Sequence, residues 1–238
     1  MKVTIIHGQS HKGSTYHISK ILADKIGGEV KEFFLPRDFG EFCIGCTQCF
    51  RKSETLCPHY EKINPLTEAL DEADVLIFES PVYVYHVTGS MKAFLDHYGY
   101  RWMLHRPEES MFHKQAVCIS TAAGAGMKST NKDMADSFFY WGVPKVYKYG
   151  VRVMATSYKD IKPKIKAKIE KDTNKIVEEW TTTEEDHIIN KLPIGEYILR
   201  EITAPNGYVR AEDVEFTVSN SGEIQKVEMQ DDYTKVEI

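Results

Sequence analysis

The feature that most constrains this chain is its opening stretch, Val3-Thr4-Ile5-Ile6-His7-Gly8-Gln9-Ser10-His11-Lys12-Gly13-Ser14-Thr15. An apolar, β-branched run stops at a glycine. A loop of hydroxyls, a lysine and a second glycine follows, and then Ile18, Ile21, Leu22 and Ile26 recur at helical spacing until Gly27-Gly28 ends the helix. Such a loop brings exposed backbone N–H groups and the positive end of a helix to one spot, where Lys12 can add charge and Ser14 and Thr15 can cap the helix or bind phosphate oxygens. The same loop is also compatible with an ordinary strand–turn–helix connection.

Strand and helix then alternate along the chain. Strands are expected over residues 2–7, 30–35, 75–78, 116–120 and 146–155, and helices over 14–27, 65–71, 90–100, 128–141 and 161–180. The run Val75-Leu76-Ile77-Phe78 is too apolar for a wet edge and is placed centrally. Five such alternations predict an α/β fold, a doubly wound five-stranded parallel sheet covered on both faces. Ligands of these folds bind at the carboxyl ends of the strands, near the switch in strand order. Three loops are expected there: residues 8–15, 80–87 and 120–126. Residues 36–59 read as one long loop, a length that usually serves function.

Charge divides the chain. From Thr181 to Ile238 there are five Lys/Arg against thirteen Asp/Glu, a net of −8 within a chain of −5, so the preceding residues carry +3. This change of sign marks a boundary near Trp180. The mildly negative total argues against nucleic acid as a partner. The apolar stretch after Lys2 is too short for a signal peptide, and no stretch is long enough to span a membrane, so the expected compartment is the cytoplasm.

Residues 1–180 resemble the flavodoxin-like FMN reductase family, in the branch that includes iron–sulfur flavoproteins. The resemblance is carried by His7 to Thr15, by the cysteine loop, by Ala73-Asp74 and by Ser80-Pro81-Val82-Tyr83. It is also carried by Ser90-Met91-Lys92-Ala93-Phe94-Leu95-Asp96 and Trp141-Gly142-Val143. The family commonly has Ser, Pro and Arg where this chain has Gln9, Ser10 and His11. The resemblance implies strand order 2-1-3-4-5 and an FMN held at its phosphate by Ser10, His11, Lys12, Ser14 and Thr15. It implies a flavin ring against Pro81, Val82, Tyr83 and Val84, with Thr121, Ala122 and Gly124 on the other rim. It further implies an NAD(P)H-dependent oxidoreductase, a homodimer, whose flavin passes electrons to a quinone or another small acceptor. The flavin carries that chemistry and no acid–base residue stands out.

Cys43, Cys46, Cys49 and Cys57 have the spacing C-x2-C-x2-C-x7-C, with Pro58 after the last. Thiols so spaced can wrap a compact metal core. The run resembles ferredoxin-type ligands and the iron–sulfur flavoprotein pattern, which implies a [4Fe–4S] cluster and an electron-carrier role as the alternative function. Zinc or reduced thiols are the other readings. Cys118, in mid-strand, reads as a small buried residue.

From Leu192 the texture becomes that of a small antiparallel β module, residues 191–238, after a linker at 181–190. Strands are expected around Leu192–Glu201, Val214–Val218 and Ile224–Met229, with turns at Asn206-Gly207 and Ser221-Gly222. Leu-Pro-x-Gly-x-Tyr at 192–197, Glu201 before Ala-Pro-x-Gly-Tyr at 204–208, and the closing Met-x-Asp-Asp-Tyr resemble the second half of a collagen-adhesin B-type, prealbumin-like repeat. In that family a lysine and a late Asn or Asp form an isopeptide bond beside a buried acid. Glu201 matches the acid, and Asp231 or Asp232 lies near the acceptor. The donor strand is missing, so no such bond is expected.

Overall fold

The computed structural model describes residues 1–104, 106, 108–155, 157–178, 194–199, 208–209, 212–219 and 232–233. The chain forms two compact units, Met1–Thr181 and Thr182–Ile238.

In the first unit, β1 (Lys2–His7), α1 (Ser14–Ile26) and β2 (Glu29–Phe34) are followed by a short α2 (Gln48–Arg51) and α3 (Tyr60–Glu72). Next come β3 (Val75–Pro81), α4 (Gly89–Asp96), α5 (Gly99–Met103) and β4 (Gln115–Ala122). The unit closes with α6 (Met127–Trp141), β5 (Lys145–Arg152) and α7 (Pro163–Glu178). The five strands make one parallel sheet in the order β2-β1-β3-β4-β5, as the family resemblance implies. Its order reverses between β1 and β3, which sit side by side at the centre.

Alternation along the central strands builds two apolar layers. Val3, Ile5, Val75, Ile77, Val117 and Ile119 pack on one face with Ile18 and Leu22 of α1 and Ile169 of α7. Ile6, Leu76, Phe78 and Ala116 pack on the other with α3, α4 and α6, where Phe94, Phe138 and Trp141 fill the space. Phe78 lies 4.4 Å from the Phe138 ring and 5.9 Å from Phe94, tilted and edge-on respectively. β2 and β5 are the edges, and charged residues on their exposed positions blunt them.

Four expectations need correction. Residues 36–59, expected as one loop, contain the short α2 and a helical turn at Glu54–Leu56. The helix expected at 65–71 begins at Tyr60, so Pro65 stands inside it. An interior proline costs roughly 3 kcal/mol, and burial of Ile63, Leu66, Ala69 and Leu70 outweighs it. The helix expected over 90–100 is two, α4 and α5, interrupted at His97-Tyr98. The strand expected to reach Ala155 ends at Arg152, and Met154 turns out of extended geometry with φ +50°.

In the second unit, β6 (Gly195–Leu199) pairs antiparallel with β8 (Val214–Val218), and β7 (Tyr208–Val209) pairs antiparallel with β9 (Asp232–Tyr233). Tyr197 stacks on Phe216 across the first pair, with ring centroids 5.7 Å apart. The strand expected at Ile224–Met229 lies outside the described residues, as do Glu201 and Asp231.

Candidate functional site

A cleft of about 720 Å³ opens at the carboxyl ends of the strands, a size suited to a small-molecule site. Its first wall is the loop after β1. Gly8 starts that loop because nothing larger fits: a Cβ there would sit 2.8 Å from the Glu79 carbonyl oxygen. The Gly8 N–H donates to that oxygen (2.7 Å) and its carbonyl accepts from the hydroxyls of Thr88 and Ser90. The loop is thereby locked to β3 and to the start of α4, where Thr88 also caps the helix through the Met91 N–H. No side chain caps α1, and Gly13, Ser14 and Thr15 all line the cleft. The positive end of a 13-residue helix therefore faces it.

The second wall is Pro81 to Tyr83. The Val82 N–H donates to the Thr121 carbonyl (2.9 Å), and Tyr83 and His86 exchange backbone hydrogen bonds across a tight turn. Val84 and Tyr85, its central residues, have φ +49° and +67°. That is the geometry of a type I′ turn, usually built from Asn and Gly, and a β-branched residue there is strained. The turn is held by the Tyr83 hydroxyl donating to Gln9 Oε1 (2.9 Å) and by Ser129 Oγ donating to the Tyr85 carbonyl. Behind it Gly126 (φ +99°) leaves room that a Cβ would close, 2.6 Å from Val82 Cγ1.

The third wall is Thr121 to Ala123. Thr121 and Thr15 are both buried, and their hydroxyls lie 2.6 Å apart, joining the ends of β4 and α1. The fourth wall, after β5, supplies Val153, Met154 and Asp160, and Ser14 Oγ donates to the Ala155 carbonyl (3.2 Å).

Beneath the first wall lies a buried polar chain. His7 Nδ1 is 2.9 Å from Glu79 Oε1 and His7 Nε2 is 3.0 Å from Glu32 Oε2, while Lys20 Nζ donates to Glu32 Oε1 (2.8 Å). His7 stacks on Phe34, centroids 4.3 Å apart. Burial raises the Glu79 carboxyl above its ordinary range despite the His7 contact, and its second oxygen has no partner among the described residues. Burial acts on Glu32 as well, but there the hydrogen bonds from Lys20 and His7 prevail and hold the carboxyl below its ordinary range.

Of the residues singled out in the sequence, the cleft brings together His11, Ser14, Thr15, Pro81, Val82, Tyr83, Thr121 and Ala122. Ser10 and Lys12 face β2: Ser10 Oγ donates to the Leu35 carbonyl (3.3 Å), and the Lys12 ammonium lies 5.2 Å from the Tyr16 ring and 5.3 Å from Phe34. Val84 and Gly124 are exposed at the rim. Gln9, Met154 and Asp160 line the cleft without having been singled out. Reading β5 through to Ala155 concealed the fourth wall.

The cysteine loop lies elsewhere, on α2, the turn at Glu54–Leu56 and the start of α3. Cys43 is exposed, and Cys46, Cys49 and Cys57 are partly buried as free thiols. Burial raises the Cys49 thiol above its ordinary range, and the thiols of Cys57, Cys43 and Cys46 around it raise it further. Cys118 is fully buried, which pushes its thiol up strongly.

Comparison with known proteins gives consistent results. Residues 1–156 match the family described as NADPH-dependent FMN reductase. Residues 156–233 match a prealbumin-like fold domain, a range that takes in α7. An iron–sulfur flavoprotein of Archaeoglobus fulgidus is 35% identical over 78 residues, 32% of this chain and 34% of that protein. One of Methanocaldococcus jannaschii is 37% identical over 70 residues, 29% of this chain and 35% of that protein. The chain thus matches about a third of the length of either relative. Among solved structures, a flavone reductase superposes with TM-score 0.56 at 17% identity over 75% of this chain and 62% of that one. An NADH:FMN oxidoreductase gives TM-score 0.54 at 16% identity over 77% and 91%. At these identities the structural likeness is one of fold.

Proposed function

The chain belongs, through residues 1–156, to the NADPH-dependent FMN reductase family. From that premise we propose that it is an FMN-dependent NAD(P)H oxidoreductase, passing hydride from a nicotinamide to the flavin and electrons on to a quinone or another small acceptor. The observation that carries this reading is the cleft. An uncapped helix N-terminus, a buried pair of threonine hydroxyls and the Pro81-Val82-Tyr83 wall meet in one space of suitable volume.

These residues fit FMN by the chemistry of their donors. The first-turn N–H groups of α1 with the Thr15 hydroxyl suit a phosphate dianion, and the Ser14 hydroxyl can join them by turning from the Ala155 carbonyl. Pro81 to Tyr83 offer the Val82 carbonyl and an aromatic face to a planar ring, their N–H groups being taken by Thr121 and His86, and Thr121 and Ala122 bound its other edge. When bound, FMN supplies the hydride-accepting ring. The chain's own part is to position that ring through its phosphate and to leave the side beside the Val84–Tyr85 turn open to a second planar reactant. Residues 1–180 form the catalytic part in this reading, 181–190 a linker and 191–238 a separate β module. A homodimer and a cytoplasmic location belong to the same reading; no helix among the described residues is long and apolar enough to cross a membrane.

A second reading attaches to the cysteine loop: an electron-transfer flavoprotein with a [4Fe–4S] cluster on Cys43, Cys46, Cys49 and Cys57. It is favoured by four free thiols gathered in one loop and by the names of the archaeal relatives. The two are separated by anaerobic mixing of flavin-loaded protein with NADPH and with NADH. Bleaching of the flavin bands, reversed by a quinone, is the expected result. No bleaching by either nucleotide refutes the reductase, and iron with acid-labile sulfide in the purified protein supports the carrier.

A further inference from the structure

One thiol of the cysteine loop also meets donors from outside the four-cysteine set. One ligand atom each from Cys57, His59 and His97 lie within 4.8 Å of one another. Among the described residues this is the group of three or more Cys, His, Asp or Glu so gathered. We propose that Cys57, His59 and His97 bind a divalent transition-metal ion of the zinc class, at a site that shares no residue with the cleft and does not depend on what binds there.

The three donors are set by regular structure. The Cys57 N–H donates to the Glu54 carbonyl, closing the turn before it, and the Cys57 carbonyl accepts from the Tyr60 N–H (2.9 Å). His59 is the N-cap residue of α3, its carbonyl accepting from Lys62 and Ile63. His97 ends α4, forty residues after Cys57 in the sequence. The interruption between α4 and α5 places its ring against His59. The His97 ring is 8% exposed as a residue and stands edge-on to Phe39, centroids 4.9 Å apart.

Proton bookkeeping favours metal binding here. His97 Nδ1 lies 2.8 Å from the Ala93 carbonyl, which can only accept, so Nδ1 carries the hydrogen. In the neutral ring Nε2 then presents a lone pair, the arrangement by which a backbone carbonyl orients a metal-ligating histidine. That lone pair faces His59 Nδ1 at 3.0 Å. A tetrahedral ion with metal–nitrogen bonds of about 2.0–2.1 Å would hold two ring nitrogens roughly 3.4 Å apart. A few tenths of an ångström of ring movement therefore replaces the shared hydrogen by an ion. His59 shifts its hydrogen to Nε2, and the Cys57 thiol loses its proton, so one proton is released per ion bound. One thiolate and two imidazoles leave a fourth position for water or another ligand, and Cys57 and His97 also line an adjoining cavity of about 260 Å³. Two imidazoles with one thiolate suit Zn²⁺ and its analogue Co²⁺ better than Mg²⁺ or Ca²⁺. Cys57 would be a ligand in both arrangements, so the site and a four-thiolate cluster on Cys43, Cys46, Cys49 and Cys57 exclude one another.

The test is Co²⁺ titration of the full chain after stripping by a chelator under reducing conditions. One Co²⁺ per chain should bind, with the visible bands of a tetrahedral ion, a thiolate-to-cobalt charge-transfer band, and displacement by Zn²⁺. Cys57→Ser should abolish the charge-transfer band. His97→Gln and, at a part-exposed position where folding is not at stake, His59→Ala should each weaken binding at least about tenfold. Cys43→Ser should leave it unchanged. FMN binding, followed in parallel, should survive His59→Ala. Loss of cobalt binding in Cys43→Ser, unchanged binding in both histidine variants, or no stoichiometric binding in the parent chain overturns the proposal.

Discussion

The contact between Thr15 and Thr121 allows structural and ligand-binding roles to be separated. Their hydroxyls lie 2.6 Å apart with both residues nearly buried, at 3% and 6% exposure. If Thr121 donates to Thr15, the Thr15 hydrogen is left for a phosphate oxygen in the cleft. Thr15→Val removes the acceptor and strands the Thr121 hydroxyl, which should cost about 1–3 kcal/mol in the ligand-free protein. Replacing both threonines by valine leaves nothing unpaired and should recover most of that loss. FMN affinity should behave differently. A hydrogen bond to a charged group is worth about 1.5–3 kcal/mol, or roughly 12- to 150-fold in Kd. Both the single and the double variant should show this loss, because the double variant regains stability without regaining a donor. Urea unfolding of ligand-free protein and quenching of FMN fluorescence read the two quantities independently. If the double variant recovers affinity together with stability, or if Thr15→Val binds FMN like the parent, the hydroxyl has no part in holding the phosphate.

Other consequences follow from the same geometry. Val84 is 91% exposed with φ +49°, so Val84→Asn gives up little packing and relieves left-handed strain; it should raise stability by about 0.5–1 kcal/mol, and a lower urea midpoint would contradict this. Gly8→Ala drives a methyl to 2.8 Å from the Glu79 carbonyl and should cost about 1–3 kcal/mol; calorimetry showing an unchanged melting temperature would contradict it. Burial holds the Glu79 carboxyl above its ordinary range in the folded protein, so folding favours its protonated form. Its contribution is complete below the ordinary carboxyl range and is lost as pH rises through the folded value. Glu79→Gln, which cannot ionise, should therefore gain stability relative to the parent as pH rises above the ordinary carboxyl range; a difference that stays flat or runs the other way across urea titrations would refute that sign.

Much of the fold is written in local pattern. Val75 to Phe78 and Ala116 to Ile119 are apolar on both faces, which only a covered parallel sheet satisfies. Placement of Ser14, Thr15, Pro81 and Thr121 at one mouth then follows from topology. What escaped the reading depends on direction or on distant partners. Lys12 lies in the right loop, yet the Tyr16 and Phe34 rings draw its ammonium toward β2. Pro65 marks a helix start by local rules, but four buried side chains carry the helix back to Tyr60. Met154 leaves the strand through a left-handed turn that its side chain gives no hint of. Cysteine spacing singles out four thiols, whereas His97 meets Cys57 only because α4 stops where it does, and nothing in the intervening sequence records that meeting.

In the proposed function, the uncapped start of α1 and the loops around it grip FMN by its phosphate. Titrating ligand-free protein into FMN and, separately, into riboflavin, which lacks only the phosphate, tests this directly by fluorescence quenching. FMN should quench saturably at 1:1, and riboflavin should bind more weakly by at least about tenfold, the equivalent of one charge-assisted hydrogen bond. Equal affinity for the two flavins, or no quenching of either, would contradict it.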